Sequence, residues 1–288
     1  MPPWPSTRVR RLALALLAAL AASLVLTAGA FAGAITPESG GSPNANDIAS
    51  LYRLAGYIAI FVFLAVEIAL VYSLFRFAHR RGRIAAQIRG NTNLEIGWTV
   101  AAALILVVLT IVTFSKLSAI KTPVTSGPGG LAAAAAASPP TGRAAAPPGQ
   151  RLHIDVNGQQ YVWRYTYPNG AFAYDEMVVP INTTVMLAIR AQDVIHSWWI
   201  PELGGKFDAV PGPYVNRTWF KISRPGVYRG QCAELCGRNH ANMVAHVKAV
   251  PVAEYQRWVQ RQKQAIDAAN RAVAAQRQPS ASTPAGGG

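Results

Sequence analysis

One short segment of the chain carries the side chains whose types and spacing could do chemistry. From Cys232 the sequence reads CAELCGRNHANM, so two cysteines, a histidine and a methionine stand at offsets 0, 4, 8 and 11: Cys232, Cys236, His240 and Met243. Thiolate, imidazole and thioether groups are soft to intermediate ligands that suit copper. Another candidate ligand, His196, lies 36 positions before Cys232 in the segment DVIHSWW. This pattern predicts a metal centre.

A structural explanation of the same residues competes with the metal site. Two cysteines in an exported domain usually form a disulfide, and a single histidine or methionine beside a strand usually packs. A disulfide, however, leaves the spacing of His240 and Met243 unexplained. A single-copper blue site uses one cysteine, two histidines and a weak methionine, so a second thiolate is one too many. The donor set favours a two-copper centre, and the disulfide stays the alternative.

Composition bounds the setting of this site. The chain has 288 residues, of which 51% are hydrophobic and only 14% are charged. So low a charged fraction suggests that part of the chain lies in lipid. The formal net charge is +14, and Lys and Arg cluster beside apolar runs, at residues 8–11 and 76–89. No basic stripe with interleaved aromatics is present, so nucleic acid is not an expected partner. Two cysteines exclude a disulfide-rich scaffold.

The amino-terminal segment is predicted to be a secretory signal covering residues 1–34. Basic residues at 8–11 precede an Ala- and Leu-rich run at 12–26, and Ala-x-Ala matches follow at 28–30 and 30–32. This order is typical of a cleaved signal. The alternative is a retained first transmembrane helix. The polar, turn-rich residues 36–50 are expected to form a loop outside the membrane.

Two apolar runs predict a transmembrane hairpin over residues 35–121, with helices at about 54–77 and 96–116. Each run is long enough to cross the hydrocarbon core, which needs about 20 residues. The loop between them is rich in arginine, and the positive-inside rule places such loops in the cytoplasm. We therefore expect a multi-pass plasma-membrane protein whose amino terminus and carboxyl-terminal domain are both extracytoplasmic.

The remainder of the chain predicts a linker, a β-domain and a tail. Residues 122–149 are rich in Ala, Pro and Gly and are expected to stay flexible. Residues 150–253 contain short alternating runs separated by Gly, Pro, Asn and Asp, which indicates a β-sandwich or barrel. Residues 254–288 are expected to form a carboxyl-terminal helix followed by a disordered tail from residue 278.

Together these features resemble cytochrome c oxidase subunit 2. The family pattern is a histidine, a gap of about 35 residues, and then Cys-x3-Cys-x3-His-x2-Met, all present here; HSWWIP at 196–201 and GKFD at 205–208 also resemble family signatures. The resemblance covers roughly residues 36–253. It implies two transmembrane helices followed by a cupredoxin-like Greek-key β-sandwich. It also implies that cytochrome c electrons pass to haem in subunit 1, where O2 reduction drives proton translocation. The chain itself would hold no oxygen-reducing site.

The resemblance implies a binuclear copper centre, CuA, with specific ligands. Both cysteines would bridge the two coppers. One copper would be completed by His196 and Met243, and the other by His240 and the backbone carbonyl of Glu234. The Glu234 carboxylate would also bind Mg2+ or Mn2+ shared with subunit 1, and Asp208 would lie near that interface. Subunits 1 and 3, and a cytochrome c or a cytochrome c domain, are the implied partners.

Three further residues have roles that the resemblance suggests. The family's Gln-Trp-x-Trp is Gln-Tyr-Val-Trp here, which offers Tyr161 and Trp163 as electron-accepting residues. Strand packing is the alternative for both and is favoured for Trp163. Glu95, within Glu-x-x-Trp-Thr, resembles the entrance of a proton pathway into subunit 1, with an ordinary interfacial acid as the alternative. Glu67, in the middle of the first apolar run, has no assigned role.

The charge of the β-domain bears on the electron donor. Residues 150–253 carry ten Lys or Arg and seven Asp or Glu. A strongly cationic cytochrome c prefers an acidic surface, so a less basic or membrane-tethered donor is expected. The alternative functions are a CuA subunit of a related haem–copper nitric oxide reductase and a membrane-tethered copper-binding protein. The low content of Met and His, 4 and 5 residues, speaks against the tethered protein.

Overall fold

The computed structural model describes residues 37–77, 87–131 and 151–277. The predicted signal at 1–34, the linker beyond residue 131 and the tail from residue 278 lie outside the described residues. The chain divides into a helical unit, which includes residues 47–118, and a β-unit, which includes residues 39–46 and 119–288. Each unit is described by itself.

Two long apolar helices confirm the predicted pair of membrane-spanning segments. Helix α1 is Pro43–Arg76 and helix α2 is Thr92–Lys121, and both are long and apolar enough to cross a membrane. Most of their large apolar side chains are exposed in the described chain, as expected of a surface that meets lipid or other subunits. Helix α1 begins before the predicted residue 54, and α2 extends beyond both ends of the predicted span 96–116. The prediction counted only the apolar part of each helix.

The loop predicted for residues 36–50 is wrong from Pro43 onward, where α1 begins. Ser42 precedes this proline, and the Asn46 N–H donates to the Ser42 carbonyl at 3.1 Å. Proline is favoured at the first position of a helix because its missing N–H has no partner to lose there and its φ is already helical. The Ser-Pro pair was therefore a helix start that the polar composition of the segment obscured.

The β-unit contains ten strands in two five-stranded sheets. The strands are β1 Leu152–Gln159, β2 Val162–Thr166, β3 Phe172–Tyr174, β4 Glu176–Pro180, β5 Thr184–Ala191, β6 His196–Trp199, β7 Phe207–Ala209, β8 Asn216–Lys221, β9 Gly226–Cys232 and β10 Val244–Val250. One sheet has the order β3-β2-β1-β5-β8 and the other has the order β4-β10-β9-β6-β7. The β1–β5 and β4–β10 pairs are parallel, and the remaining pairs are antiparallel.

Alternating side chains of both sheets form one core, which confirms the predicted β-sandwich. In β1 the buried residues Ile154 and Val156 alternate with the exposed His153 and Asp155. Val247, from β10 of the second sheet, joins the same buried cluster. Burying one such aliphatic side chain contributes about 1.5–3 kcal/mol, so the alternation fixes which face of each strand points inward.

The first part of the predicted flexible linker is instead attached to the β-unit. The Gly127 N–H donates to the Asn182 carbonyl at 2.8 Å, and the Leu131 N–H donates to the Thr183 hydroxyl at 2.7 Å. The Leu131 side chain joins the hydrophobic core. Composition alone predicted flexibility here, but these hydrogen bonds and the burial of Leu131 attach the segment to the turn before β5.

Helix α3, Val252–Arg277, closes the described chain. Tyr255 and Trp258 on its first turns pack against Tyr167, with ring centroids 6.3 Å and 5.1 Å away. The Gln262 amide donates to the Phe172 carbonyl at 2.9 Å. Residues 268–277 of the helix are exposed. The amino-terminal half of α3 is thus part of the β-unit.

Candidate metal centre

Strand pairing in the second sheet brings together the two most distant members of the predicted site. His196 begins β6 and Cys232 ends β9, and the antiparallel register pairs Trp198 with Cys232. The His196 Nδ1 atom therefore lies 3.9 Å from the Cys232 sulfur. The sheet thus brings together two residues that are 36 positions apart in the sequence.

The loop between β9 and β10 supplies the other side chains. The Cys232 N–H donates to the Met243 carbonyl at 2.8 Å, which closes the base of the loop. The Cys236 sulfur then lies 3.9 Å from the Cys232 sulfur, 3.5 Å from His240 Nδ1 and 3.8 Å from the Met243 sulfur. Both cysteines are free thiols, at a separation far beyond the ~2.05 Å of a disulfide bond.

The converging donors are shielded from water. His196 and Met243 are 0% exposed, and Cys232 and Cys236 are 2% and 4% exposed. The ring of His240 is half-buried. Two thiols, two imidazoles and a thioether with neighbouring donors within 4 Å form the soft set that copper prefers. The residues present therefore fit a copper centre.

The two thiols differ in acidity. Burial raises the pKa of Cys232, but hydrogen bonds from His196 and neighbouring groups outweigh it and lower the pKa to about 6. Burial and the adjacent Cys232 thiolate raise the pKa of Cys236 to about 11. Burial by itself lowers the pKa of His196. The hydrogen bonds to Cys232 and Asp193 raise this pKa by a larger amount, so the net shift is upward. One thiolate is thus ready at neutral pH, and the second must lose its proton to a metal.

Comparison with known proteins decides the family. Two family models, described as "Cytochrome C oxidase subunit II, transmembrane domain" and "Cytochrome C oxidase subunit II, periplasmic domain", match residues 32–115 and 171–250. Cytochrome c oxidase subunit 2 of Cereibacter sphaeroides is 32% identical over 270 residues, which cover 78% of this chain and 81% of that protein. The chain belongs to the cytochrome c oxidase subunit 2 family. It is accordingly a membrane protein with an extracytoplasmic carboxyl-terminal domain.

A second relative agrees with this assignment. Cytochrome c oxidase subunit 2 of Alkalihalophilus pseudofirmus is 33% identical over 208 residues, and the match covers 70% of this chain but only 55% of that longer protein. Among solved structures, the periplasmic domain of subunit II of cytochrome oxidase from Bradyrhizobium japonicum is 35% identical. That match covers 39% of this chain and 94% of the solved chain, with a TM-score of 0.38.

Asp193 is a partner of the site that sequence reasoning missed. Its Oδ1 lies 2.9 Å from His196 Nε2, on the side of the ring away from Cys232. The carboxylate is held in turn by the N–H groups of Gln160 and Val194, each at 2.7 Å. A histidine ligand commonly donates its second ring N–H to a carboxylate, so an aspartate three residues before the histidine was the available signal.

The two predicted aromatics of this subunit 2 chain lie in different places: Tyr161, in the turn between β1 and β2, adjoins the loop, and Trp163, on β2, adjoins His196. The Gln160 amide donates to the Cys236 carbonyl at 2.5 Å. A Cβ on Gly237 would lie 2.5 Å from the Tyr161 hydroxyl, so Tyr161 rests against the loop where a glycine leaves room. Trp163 is 0% exposed, and its ring meets the His196 ring edge-on at 5.9 Å.

The carboxylates that the family resemblance singled out lie outside the buried donor group. Glu234 is exposed between the cysteines, while its backbone carbonyl lies 3.2 Å from the Cys232 sulfur. Asp208 is exposed on β7, where the register pairs it with Ser197. Both carboxylates are therefore on the surface of the β-unit.

In the helical unit, Glu95 lies in the first turn of α2. Its carboxylate accepts from the Asn91 N–H at 3.1 Å, and Asn91 Oδ1 accepts from the Leu94 N–H at 3.1 Å. The two side chains cap the helix reciprocally, which satisfies N–H groups that the first turn leaves free. Capping is thus one role that the structure assigns to Glu95.

Proposed function

We propose that this chain is the electron-accepting subunit of a cytochrome c oxidase. It takes electrons from cytochrome c, or from a cytochrome c domain, at a binuclear CuA centre. From there they pass to haem in subunit 1 for O2 reduction coupled to proton translocation. The observation that carries the proposal is the convergence of five buried or half-buried soft donors at the ends of β6, β9 and β10.

The proposed ligands follow the two sides of the donor group. Two coppers would be held by the side chains of Cys232, Cys236, His196, His240 and Met243 and by the Glu234 carbonyl. When bound, such a centre supplies a carrier that gains and loses single electrons. Support comes from the facing Nδ1 atoms of both histidines, each within 4 Å of a cysteine sulfur.

The role of the protein around the proposed centre is to fix the positions of the donor atoms. His196 is fixed by β6 on one side and by Asp193 on the other. The Cys236 carbonyl is held by Gln160, from the neighbouring sheet. Donors whose positions are fixed by strands and by supporting hydrogen bonds keep one geometry in both redox states. Their burial excludes water, which strengthens electrostatic effects in the site.

Electron acceptance from the donor is proposed to use the β1–β2 turn. Tyr161 is half-buried and touches the loop at Gly237, so it offers a path from the surface to the Cys236 region. Trp163 is fully buried against His196. The buried position of Trp163 supports a packing role for this side chain. The same packing brings it into contact with His196, a proposed ligand.

Two further roles belong to the assembly with subunits 1 and 3. The exposed Glu234 carboxylate is available to bind Mg2+ or Mn2+ together with subunit 1. Glu95 stands at the start of α2, where a proton pathway into subunit 1 would begin, although capping already accounts for an acid there.

The arginine-rich segment 76–89 supports a plasma-membrane hairpin with the amino terminus and the β-unit extracytoplasmic.

Metal analysis and EPR of the purified oxidase complex test the copper proposal. We expect this chain to contribute two coppers to the complex and to give a mixed-valence EPR signal. Cys232→Ser should abolish that signal. Met243→Leu should perturb that signal while Met186→Leu, a matched change on β5, leaves it intact, since Met186 lies outside the donor group. An unchanged copper content and signal in Cys232→Ser would refute the proposed centre.

A further inference from the structure

The open side of strand β8, at the edge of its sheet, is occupied by the start of helix α1. In the described chain the order β3-β2-β1-β5-β8 places no further strand beside β8. The Asn44 side-chain amide donates to the Trp219 carbonyl at 2.9 Å, and the Lys221 N–H donates to the Ser42 hydroxyl at 3.1 Å. Backbone groups at a sheet edge need such cover. Residues 39–46 therefore take the place of a further strand.

The Trp219 side chain bonds a second segment, at the end of helix α2. Its indole N–H donates to the Ile120 carbonyl at 2.9 Å. Because successive strand residues point to opposite faces and Phe220 belongs to the core, the Trp219 ring points away from that core. The side chain is nevertheless only 3% exposed. One residue thus holds the start of α1 through its carbonyl and the end of α2 through its ring.

A second residue of β8 extends this attachment. Lys221 Nζ donates to the Thr125 carbonyl at 3.1 Å, in the segment that follows α2. The contacts that β8 makes with four residues are called the β8 junction: Ser42, Asn44, Ile120 and Thr125. All of these residues belong to the β-unit. The junction therefore fixes to the β-unit both chain segments that connect it to the apolar helices.

The β8 junction is connected to the candidate metal centre through the sheet. Residues 216–221 of β8 pair with residues 184–189 of β5. Strand β5 ends at Ala191 and is followed by Asp193, whose carboxylate lies 2.9 Å from the His196 ring nitrogen. Only the short loop between β5 and β6 thus separates this sheet from the first proposed ligand.

We propose that Trp219 is a positioning residue for electron transfer from this chain to subunit 1. The inference rests on the proposed function, because it concerns the step in which one electron leaves the copper centre and is gained by haem. Electron transfer slows steeply as the distance between two centres grows. Trp219 closes the β8 junction and so restricts the motion of the β-unit on its two connecting segments. With the junction open, a smaller fraction of the molecules holds the centre in the competent position.

Hydrogen exchange in the purified oxidase complex tests whether Trp219 closes the junction. Trp219→Phe keeps an aromatic ring but removes the N–H group that donates to the Ile120 carbonyl. Exchange in residues 119–131 should become about three- to tenfold faster, because one hydrogen bond is lost there. Exchange in the core strands β1, β5 and β10 should stay as in the wild type.

Flash photolysis of the same complex measures the electron-transfer step, with photoexcited tris(bipyridine)ruthenium(II) as the electron source for the copper centre. We expect Trp219→Phe to pass electrons to haem at about half the wild-type rate or less, as when about half of the molecules are competent. Copper content and the EPR signal should stay unchanged, which separates a change of position from loss of the centre. Asn44→Ala opens the other side of the junction and should act in the same direction, so it replaces Trp219→Phe if that variant does not assemble.

Trp258→Phe is the matched control, because this tryptophan packs against Tyr167 and lies outside the junction. It should leave the exchange of residues 119–131 and the transfer rate as in the wild type. An unchanged transfer rate in Trp219→Phe would overturn the positioning role. Faster exchange throughout the β-strands of Trp219→Phe would show a general loss of stability and would overturn it as well. A wild-type complex whose copper centre does not reduce haem would instead refute the proposed function.

Discussion

Asp193 Oδ1 lies 2.9 Å from His196 Nε2, while the opposite ring nitrogen, Nδ1, faces the Cys232 sulfur at 3.9 Å. The aspartate therefore selects which nitrogen of the ring is free for a metal. It also ties the β5–β6 loop to the β1–β2 turn through the Gln160 N–H.

Removing this carboxylate should weaken copper binding. We expect Asp193→Ala to lower copper affinity about 10–100-fold, because the ring loses the acceptor that orients it. Asp193→Asn should lose less, since its amide oxygen can still accept the Nε2 proton. Competition titration with a copper chelator measures both. Asp155→Ala, which removes an exposed aspartate from β1, is the control, and an Asp193→Ala affinity equal to that of this control would contradict the orienting role.

A methyl group at Gly158 should displace the His196 ring. A Cβ there would lie 2.9 Å from His196 Cδ2 and 3.1 Å from Trp163 Cζ3, both fully buried. We expect Gly158→Ala to destabilise the β-unit by about 1–3 kcal/mol through overpacking and to reduce bound copper. Denaturant unfolding and metal analysis give the two readouts.

Gly205→Ala is the matched control for that substitution, because the nearest atom to its Cβ, on the Phe207 ring, is an ordinary 3.8 Å away. It should unfold like the wild type and retain full copper. Equal stability and copper content of the two alanine variants would show that the ring has room to move.

Copper uptake by the metal-free chain should depend on pH in two regimes. With the pKa of Cys232 near 6 and that of Cys236 near 11, one thiol proton is displaced between these values. Apparent affinity should then rise at least about tenfold per pH unit, and the His196 proton adds to the slope up to the raised pKa of that ring. Below pH 6 both thiols are protonated, so the slope should reach at least a hundredfold per unit, and the raised pKa of His196 steepens it. Chelator competition from pH 5 to 9 checks this, and a flat profile would contradict it.

The Tyr167 hydroxyl should stabilise the edge of the second sheet. It accepts from the Val178 N–H at 2.8 Å and donates to the Val178 carbonyl at 3.0 Å, in a buried position. Tyr167→Phe leaves these groups of β4 without that partner, so we expect a loss of about 1–3 kcal/mol. Thermal and denaturant unfolding measure it. Tyr174→Phe, at a residue 51% exposed, should change stability by about 0.5 kcal/mol or less, and equal losses would refute the role of the buried hydroxyl.

Local sequence signals predicted much of this molecule. One segment of twelve residues contains Cys232, Cys236, His240 and Met243. The positions of these side chains therefore depend mainly on the path of that segment. The two apolar runs and the period-2 alternation of the strands are also local, and the helix pair and the β-sandwich are confirmed. The polar composition of residues 36–50 predicts a loop, whereas the Ser42-Pro43 pair starts a helix.

Only the tertiary structure decided which distant residues meet at the centre. The pairing of β6 with β9 sets His196 beside Cys232, the β5–β6 loop adds Asp193, and the β1–β2 turn adds Gln160 and Tyr161. The sequence by itself determined the set of donors and the alternation of the strands, since both depend on neighbours along the chain. Strand partners and their register depend on burying both sheets in one core, a non-local free energy that no spacing within a segment encodes.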